Sequence, residues 1–278
     1  MVRIAFALDC RHRKVIGLGG HHPGIEMVRD VMAGCVEQGF AALRAADRQF
    51  ESDSRHQLFN LSHQPRITAM YKLYYAPGTC ALATHIALEE AAAPYEAIRV
   101  DFASQAQRSA EYLAINPKGR VPALVTERGT LTETPGLLLF VAQQFPAAEL
   151  APLTDAFALA QVQEFNSYLC ATVHVAHAHG RRGARWADDV AAHEAMKRKV
   201  PASMTECAEL VEHKFLRGPW IMGEQYTICD PYWFTIGTWL EGDGVDTSRL
   251  PRILEHRRRM LTRAAVQKAV SIEGTQIP

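Results

Sequence analysis

Between Tyr71 and Phe145 strand-like and helix-like runs alternate, and after that the strand signals stop. That switch constrains the fold more than any other feature of the chain. "YKLYYA" and "YEAIRVDF" read as strands, and "VPALVTE" with "TLTE" reads as a hairpin around Arg128-Gly129. "CALATHIALEEAA", "RSAEYLAIN" and "PGLLLFVAQQF" read as helices. The first of these carries small residues Ala83, Ala87 and Ala91 on one side; the third has Pro135 at its start, where a missing N–H costs nothing. Beyond "PAAELAP" helical periodicity fills 153–272, with breaks expected at Pro201, at Gly218-Pro219 and from Gly242 to Gly244.

The order β-α-β-α-β-β-α with short loops is that of a thioredoxin-like α/β layer. The expected organisation is therefore a thioredoxin-like domain over residues 70–148 and an all-helical domain over 149–278, an α/β plus all-α fold. Residues 1–69 fit neither. "RIAFALDC" suggests a strand and "GIEMVRDVMAGCVEQGF" a helix with Ile25, Val28, Val31 and Met32 on one side. From Arg44 the chain turns polar and irregular, with little to bury, and reads as a linker. The stretch "FALDCRHRKVIGLGGHHPGIEMVRDVMAGCVEQGF" resembles a piece of the catalytic domain of insertion-sequence transposases. Such enzymes hold two metal ions with three carboxylates on separate elements. No such triad is recognisable here, and Asp9 matches a strand aspartate outside it. The expectation is a poorly structured extension, left by gene fusion or by a start codon placed upstream of Met70, without recombinase activity.

Thirty Lys+Arg balance thirty Asp+Glu, so no overall field favours nucleic acid or an anionic membrane. The apolar run Ile4 to Leu8 is too short for a signal peptide or a membrane span. Six cysteines without C-x-x-C spacing read as reduced thiols of a cytoplasmic protein.

Four motifs carry chemistry. In "YYAPGTCALA", Pro77-Gly78 breaks a strand and Cys80 stands at the start of a helix, where dipole and free amides should depress a thiol pKa. Ala83 occupies the second position of a C-x-x-C pair, so a dithiol cycle of the thioredoxin kind is not expected. "NPKGRVPAL" places a turn before Pro122, which opens a strand. "LTETPG" offers Thr134 as an N-cap before Pro135, with free N–H groups that suit a carboxylate. "TVHVAHAHGRRGARW" offers His174, His177 and His179, without a neighbouring acid or cysteine to complete a metal site. Arg181, Arg182 and Arg185 beside them either pair locally or attract an anionic co-substrate. Finally "YTICDPYWF" has the pattern of a capping box, Thr227 with Asp230, and is assigned to stability.

Taken in order, "YKLYYAPGTCALATHIALEEA…YEAIRVDF…YLAINPKGRVPALVTERGTLTET", "TVHVAHAHG" and "GEQYTICDPYWFT" resemble a bacterial glutathione S-transferase of the cysteine-containing, beta-like class, over about Met70 to Gly274. The resemblance implies a cytoplasmic homodimer that binds glutathione as co-substrate and takes a small electrophile or disulfide as its second partner, with no metal, nucleic acid or membrane. It implies a cis bond at Val121–Pro122, which leaves the Val121 N–H and C=O free to pair with glutathione as if with an added strand. It implies that Glu133 takes the γ-glutamyl ammonium and Thr134 its carboxylate. It makes Cys80 and His174 the catalytic pair, the histidine standing over the thiol. Three departures bear on affinity. Gln105 stands where relatives often have a lysine for the glycyl carboxylate, and Arg108 is the available substitute. Ser167 stands where many have asparagine, and Val175 replaces another frequent basic neighbour of the histidine. The alternative reading is a non-enzymatic, partner-binding protein on the same fold; a scaffold, however, needs none of Cys80, Val121-Pro122 or Glu133-Thr134.

Overall fold

The computed structural model describes residues 7–9, 14–16 and 70–278. The chain divides into two compact units, Met1–Arg66 and Ile67–Pro278. In the first, β1 (Ala7–Asp9) and β2 (Lys14–Ile16) pair antiparallel. β1 falls inside the run expected to be a strand; β2 was not expected. The helix expected over residues 24–40 and the expected polar linker lie outside the described residues, as does most of the transposase-like stretch.

In the second unit, β3 (Tyr71–Tyr75), α1 (Ala81–Glu90), β4 (Tyr95–Arg99), α2 (Ala110–Ile115), β5 (Ala123–Thr126), β6 (Gly129–Thr132) and α3 (Thr134–Gln144) follow one another in the expected order. The sheet order is β4-β3-β5-β6, with β3 parallel to β4 and antiparallel to β5. Leu73 stands opposite Leu124 and Ala123 opposite Thr132. The crossover through α1 makes the first pair parallel, whereas the short turn at Arg128-Gly129 forces the β5–β6 hairpin. The small-residue stripe of α1 is inside: Ala83 and Ala87 are buried against Leu137, Leu138 and Val141 of α3.

The rest is helical: α4 (Ala156–Tyr168), α5 (His174–Ala178), α6 (Val190–Leu210), α7 (Cys229–Gly237), α8 (Pro251–Leu261) and α9 (Ala264–Glu273). One wide turn, Leu169–Val173, links α4 to α5. This is a thioredoxin-like layer joined to a helical half, and one apolar core runs through both, from Leu73 and Leu138 to Phe165, Tyr232 and Trp233.

Two local expectations are corrected. Pro201 does not end a helix; α6 runs through it. The carbonyl its missing N–H would have met belongs to Lys197, an exposed residue whose carbonyl water can satisfy. Pro201 itself packs within 3.3 Å of where a Cβ on Gly244 would stand, and its own carbonyl accepts the Thr205 hydroxyl at 2.7 Å. At the other site, α3 begins at Thr134 rather than after it. Glu133 is the capping residue, with φ of 71°, and that turn starts the helix one residue early.

In front of α7 the capping residue is Ile228 rather than the expected Thr227, but the bonds expected of Thr227 and Asp230 form around it. The Thr227 hydroxyl accepts from Cys229 N–H at 3.3 Å, and Asp230 Oδ2 accepts from Thr227 N–H at 2.8 Å. Asp230 Oδ1 also accepts Ile221 N–H at 2.8 Å and lies 3.0 Å from His256 Nε2. Every residue of α7 is buried, so a carboxylate that orders three segments fixes the middle of the helical half.

Candidate active site

The turn between β3 and α1 is built to deliver a thiol. Gly78 takes a left-handed φ of 69°, which a residue without Cβ adopts at no steric cost, and its N–H donates to the Thr275 hydroxyl at 3.2 Å. Thr79 donates to Ala76 C=O at 2.7 Å and accepts from Ala81 N–H at 3.3 Å. Cys80 follows as the residue at the cap of α1, half-buried, with Sγ 3.8 Å from the Val121 carbonyl oxygen. Val121–Pro122 is cis.

These groups face a cavity of about 600 Å³ between the sheet and the helical half. Cys80, Val121, Pro122, Glu133 and Thr134 line it from one side; His174 and Val175 line it from the other. Gln105 is not on its wall. It occupies a left-handed turn (φ 58°), and Gln107 and Arg108 line the cavity in its place. Gly119 makes room for them: a Cβ there would stand 2.8 Å from Arg108 Nη1 and 2.9 Å from the Gln107 carbonyl oxygen. Ser167 is exposed and absent from the wall.

Electrostatics differ from the sequence expectation at the thiol. Burial pushes the Cys80 thiol above its ordinary value. The Thr134 hydroxyl, the residue's own backbone N–H and Arg182 pull it down, while Glu133 adds to the rise. Desolvation outweighs the helix end because a thiolate loses more on leaving water than two or three partial charges return. Thr134 is itself buried at the first turn of α3, beside the thiol it favours.

His174 is neutral at physiological pH. Burial lowers its pKa to about 4, and His177, Arg182, Arg185 and Arg120 push the same way. His177 holds Asp243 through Nδ1 at 2.7 Å and stacks on Trp239 with ring centroids 4.3 Å apart; His174 packs against the same indole at 5.0 Å. The acid absent from the local sequence thus arrives from 66 residues away. His179 packs against Trp186. Among the described residues no three potential metal ligands come together.

The sequence reading missed Cys170, Tyr232 and Trp239, all on the cavity wall. Cys170 is exposed, in the wide turn between α4 and α5, so a second thiol faces the cavity although none stands at Ala83. The wide turn is a local signal of the kind often found at functional sites, but it forms only in the folded helix. Among the described residues all four cysteines are free thiols, and no helix is long and apolar enough to cross a membrane.

Comparison with known proteins follows the same lines. Residues 69–142 match the family described as "Glutathione S-transferase, N-terminal domain". Glutathione S-transferase GstA of Escherichia coli O157:H7 is 30% identical over 205 residues, covering 73% of this chain and 98% of the relative. Glutathione S-transferase GST-4.5 of Xanthomonas campestris is 30% identical, with 73% and 98% covered. Among solved structures, a glutathione transferase homologue from Sulfitobacter with bound glutathione is 49% identical, with a TM-score of 0.72, covering 74% of this chain and 99% of that one. The beta-class glutathione S-transferase of Sphingomonas chungbukensis is 30% identical with a TM-score of 0.65, covering 74% of this chain and all of that one. With 30% identity to relatives that the chain covers almost end to end, and a matching family model over its sheet half, the chain belongs to the glutathione S-transferase family.

Proposed function

We propose that this glutathione transferase is of the cysteine-containing, beta-like class and holds glutathione along the wall formed by Glu133, Thr134, Val121 and Cys80. The observation that supports this is the convergence of those four residues, with His174 opposite, on one cavity. Glu133 would take the γ-glutamyl ammonium, while the buried Thr134 hydroxyl and the amides of the first turn of α3 take the neighbouring carboxylate. The Val121 N–H and C=O would pair with the cysteinyl backbone, and the glycyl carboxylate would reach Arg108 and Gln107 instead of Gln105. The glutathione sulfur then lies near Cys80, Thr134 and neutral His174, whose ring N–H donates to the thiolate.

In conjugation the thiolate sulfur bonds to an electrophilic carbon and the leaving group departs with its electron pair. In exchange, the Cys80 thiolate attacks a glutathione-bearing disulfide, forms a mixed disulfide and expels the other thiolate. Catalysis in both consists of holding the partners together and supplying thiolate. We further propose a cytoplasmic homodimer, in line with the four free thiols, with no metal. Residues 1–69 form an extension outside the catalytic unit, 70–148 the glutathione domain, and 149–278 the helical domain with the second-substrate pocket.

The test is retention on immobilised glutathione, followed by turnover of a panel of small electrophiles and disulfides, with the intact chain and with one starting at Met70. Loss of retention by the intact chain overturns the reading; loss only on truncation makes the extension part of the catalytic unit.

A further inference from the structure

The cavity holds more positive charge than glutathione calls for. Four arginines line it: Arg108 and Arg120 from the sheet half, Arg182 and Arg185 from the loop after α5. Among the described residues none of the four is paired with an acid. Arg257, Arg259 and Arg263 on the helical half do have acidic partners, Glu241, Glu255 and Glu90. Glu133, the acid on the cavity wall, is taken by Lys118. The four like charges thus share one cavity, their repulsion screened in part by solvent because all four residues are exposed. Burial, then Arg120, Arg182 and Arg108, lower the Arg185 pKa to about 10. All four residues are exposed, so none of them is needed to fill the core, and a cavity wall of one sign of charge favours an incoming anion.

With glutathione seated as proposed above, part of this charge is answered and part is left over. Glutathione as thiolate brings two carboxylates, one ammonium and one thiolate, a net charge of minus two. Its carboxylates are answered at Thr134 and at Arg108, on the sheet half. Arg182 and Arg185 stand on the helical half, on the side of the second substrate, and keep their charge after glutathione binds. Trp239 on that same half carries a buried indole N–H with no acceptor among the described residues. A cationic pair with a spare donor recognises an oxyanion.

We propose that the second substrate is an electrophile carrying an oxyanion (a carboxylate, sulfonate or phosphate), seated on Arg182 and Arg185 with its reactive carbon toward the glutathione sulfur. The anionic group anchors and takes no part in the bond changes. With a halide substrate, the sulfur–carbon bond forms, the carbon–halogen bond breaks and halide leaves with the electron pair. The thiol proton goes to solvent.

Calorimetry tests this with two ligands, the glutathione conjugate of a chlorodinitrobenzoate and the methyl ester of its aryl carboxylate. The acid is expected to bind about tenfold more tightly than the ester, the yield of one charged hydrogen-bonded contact. That ratio should fall toward one in Arg182→Gln and in Arg185→Gln. It is taken within each variant, so any general loss of affinity cancels. Equal affinities in the unaltered protein, or a preference that survives the double substitution, overturn the proposal. When either occurs while the unaltered protein still binds glutathione, the glutathione reading stands; absence of glutathione binding as well overturns both.

Discussion

Lys118 Nζ lies 2.5 Å from Glu133 Oε1, so the carboxylate proposed for the glutathione ammonium already carries a cation in the free protein. Both side chains are more than a third exposed, at 41% and 66%, so the pair is screened and worth at most about 1 kcal/mol. Lys118→Met should therefore change glutathione affinity by less than about fivefold. Glu133→Ala should weaken it by about tenfold or more, because a charged hydrogen bond is lost outright. Calorimetry on both variants decides; unaltered affinity in Glu133→Ala removes that residue from the site.

The thiols should react in an order set by burial. Cys170 is exposed, Cys80 half-buried with a raised pKa, and Cys207 and Cys229 buried. Limited alkylation near neutral pH should label Cys170 before Cys80, and glutathione should slow labelling at Cys80. Cys80→Ala should end mixed-disulfide formation at that position while conjugation survives in part, since glutathione brings its own sulfur. Mass mapping checks the order. Fastest labelling at Cys80 would mean that the helix end outweighs desolvation.

Acid should destabilise the fold through His174. Its folded pKa of about 4 lies below the unfolded value near 6.5, so the unfolded chain takes the proton first as pH falls. The neutral imidazole contributes stability that is intact above about pH 6.5 and is lost progressively down to about pH 4, at most about 3 kcal/mol. Urea unfolding of the native protein and of His174→Gln should show a shallower pH slope in the variant across that window. Parallel slopes would place the acid sensitivity elsewhere.

Asp230→Ala should cost about 3–5 kcal/mol in urea unfolding, because Ile221 N–H, Thr227 N–H and His256 all lose a buried acceptor. A cost below about 1 kcal/mol would show that water or neighbouring groups replace the carboxylate.

The sequence by itself determined the elements and their order. Strand and helix periods, the glycine and proline breaks, the Arg128-Gly129 hairpin and the Thr227–Asp230 box depend on residues a few positions apart, and that is the range at which backbone preference and capping act. Pro201 misled for the same reason. Its local preference is to end a helix, and only packing against the Gly244 turn and an exposed Lys197 carbonyl let α6 continue. Cys80, Val121-Pro122, Glu133 and Thr134 were legible because each sits at a turn or helix start with its own local pattern. The tertiary structure decided what surrounds them. It brought Asp243 to His177, Cys170 to the cavity that Cys80 lines, and to the same cavity four arginines without an acidic partner among the described residues. It also reversed the expected direction of the Cys80 pKa, since the helix end is a local property whereas desolvation is set by every segment that packs over the thiol.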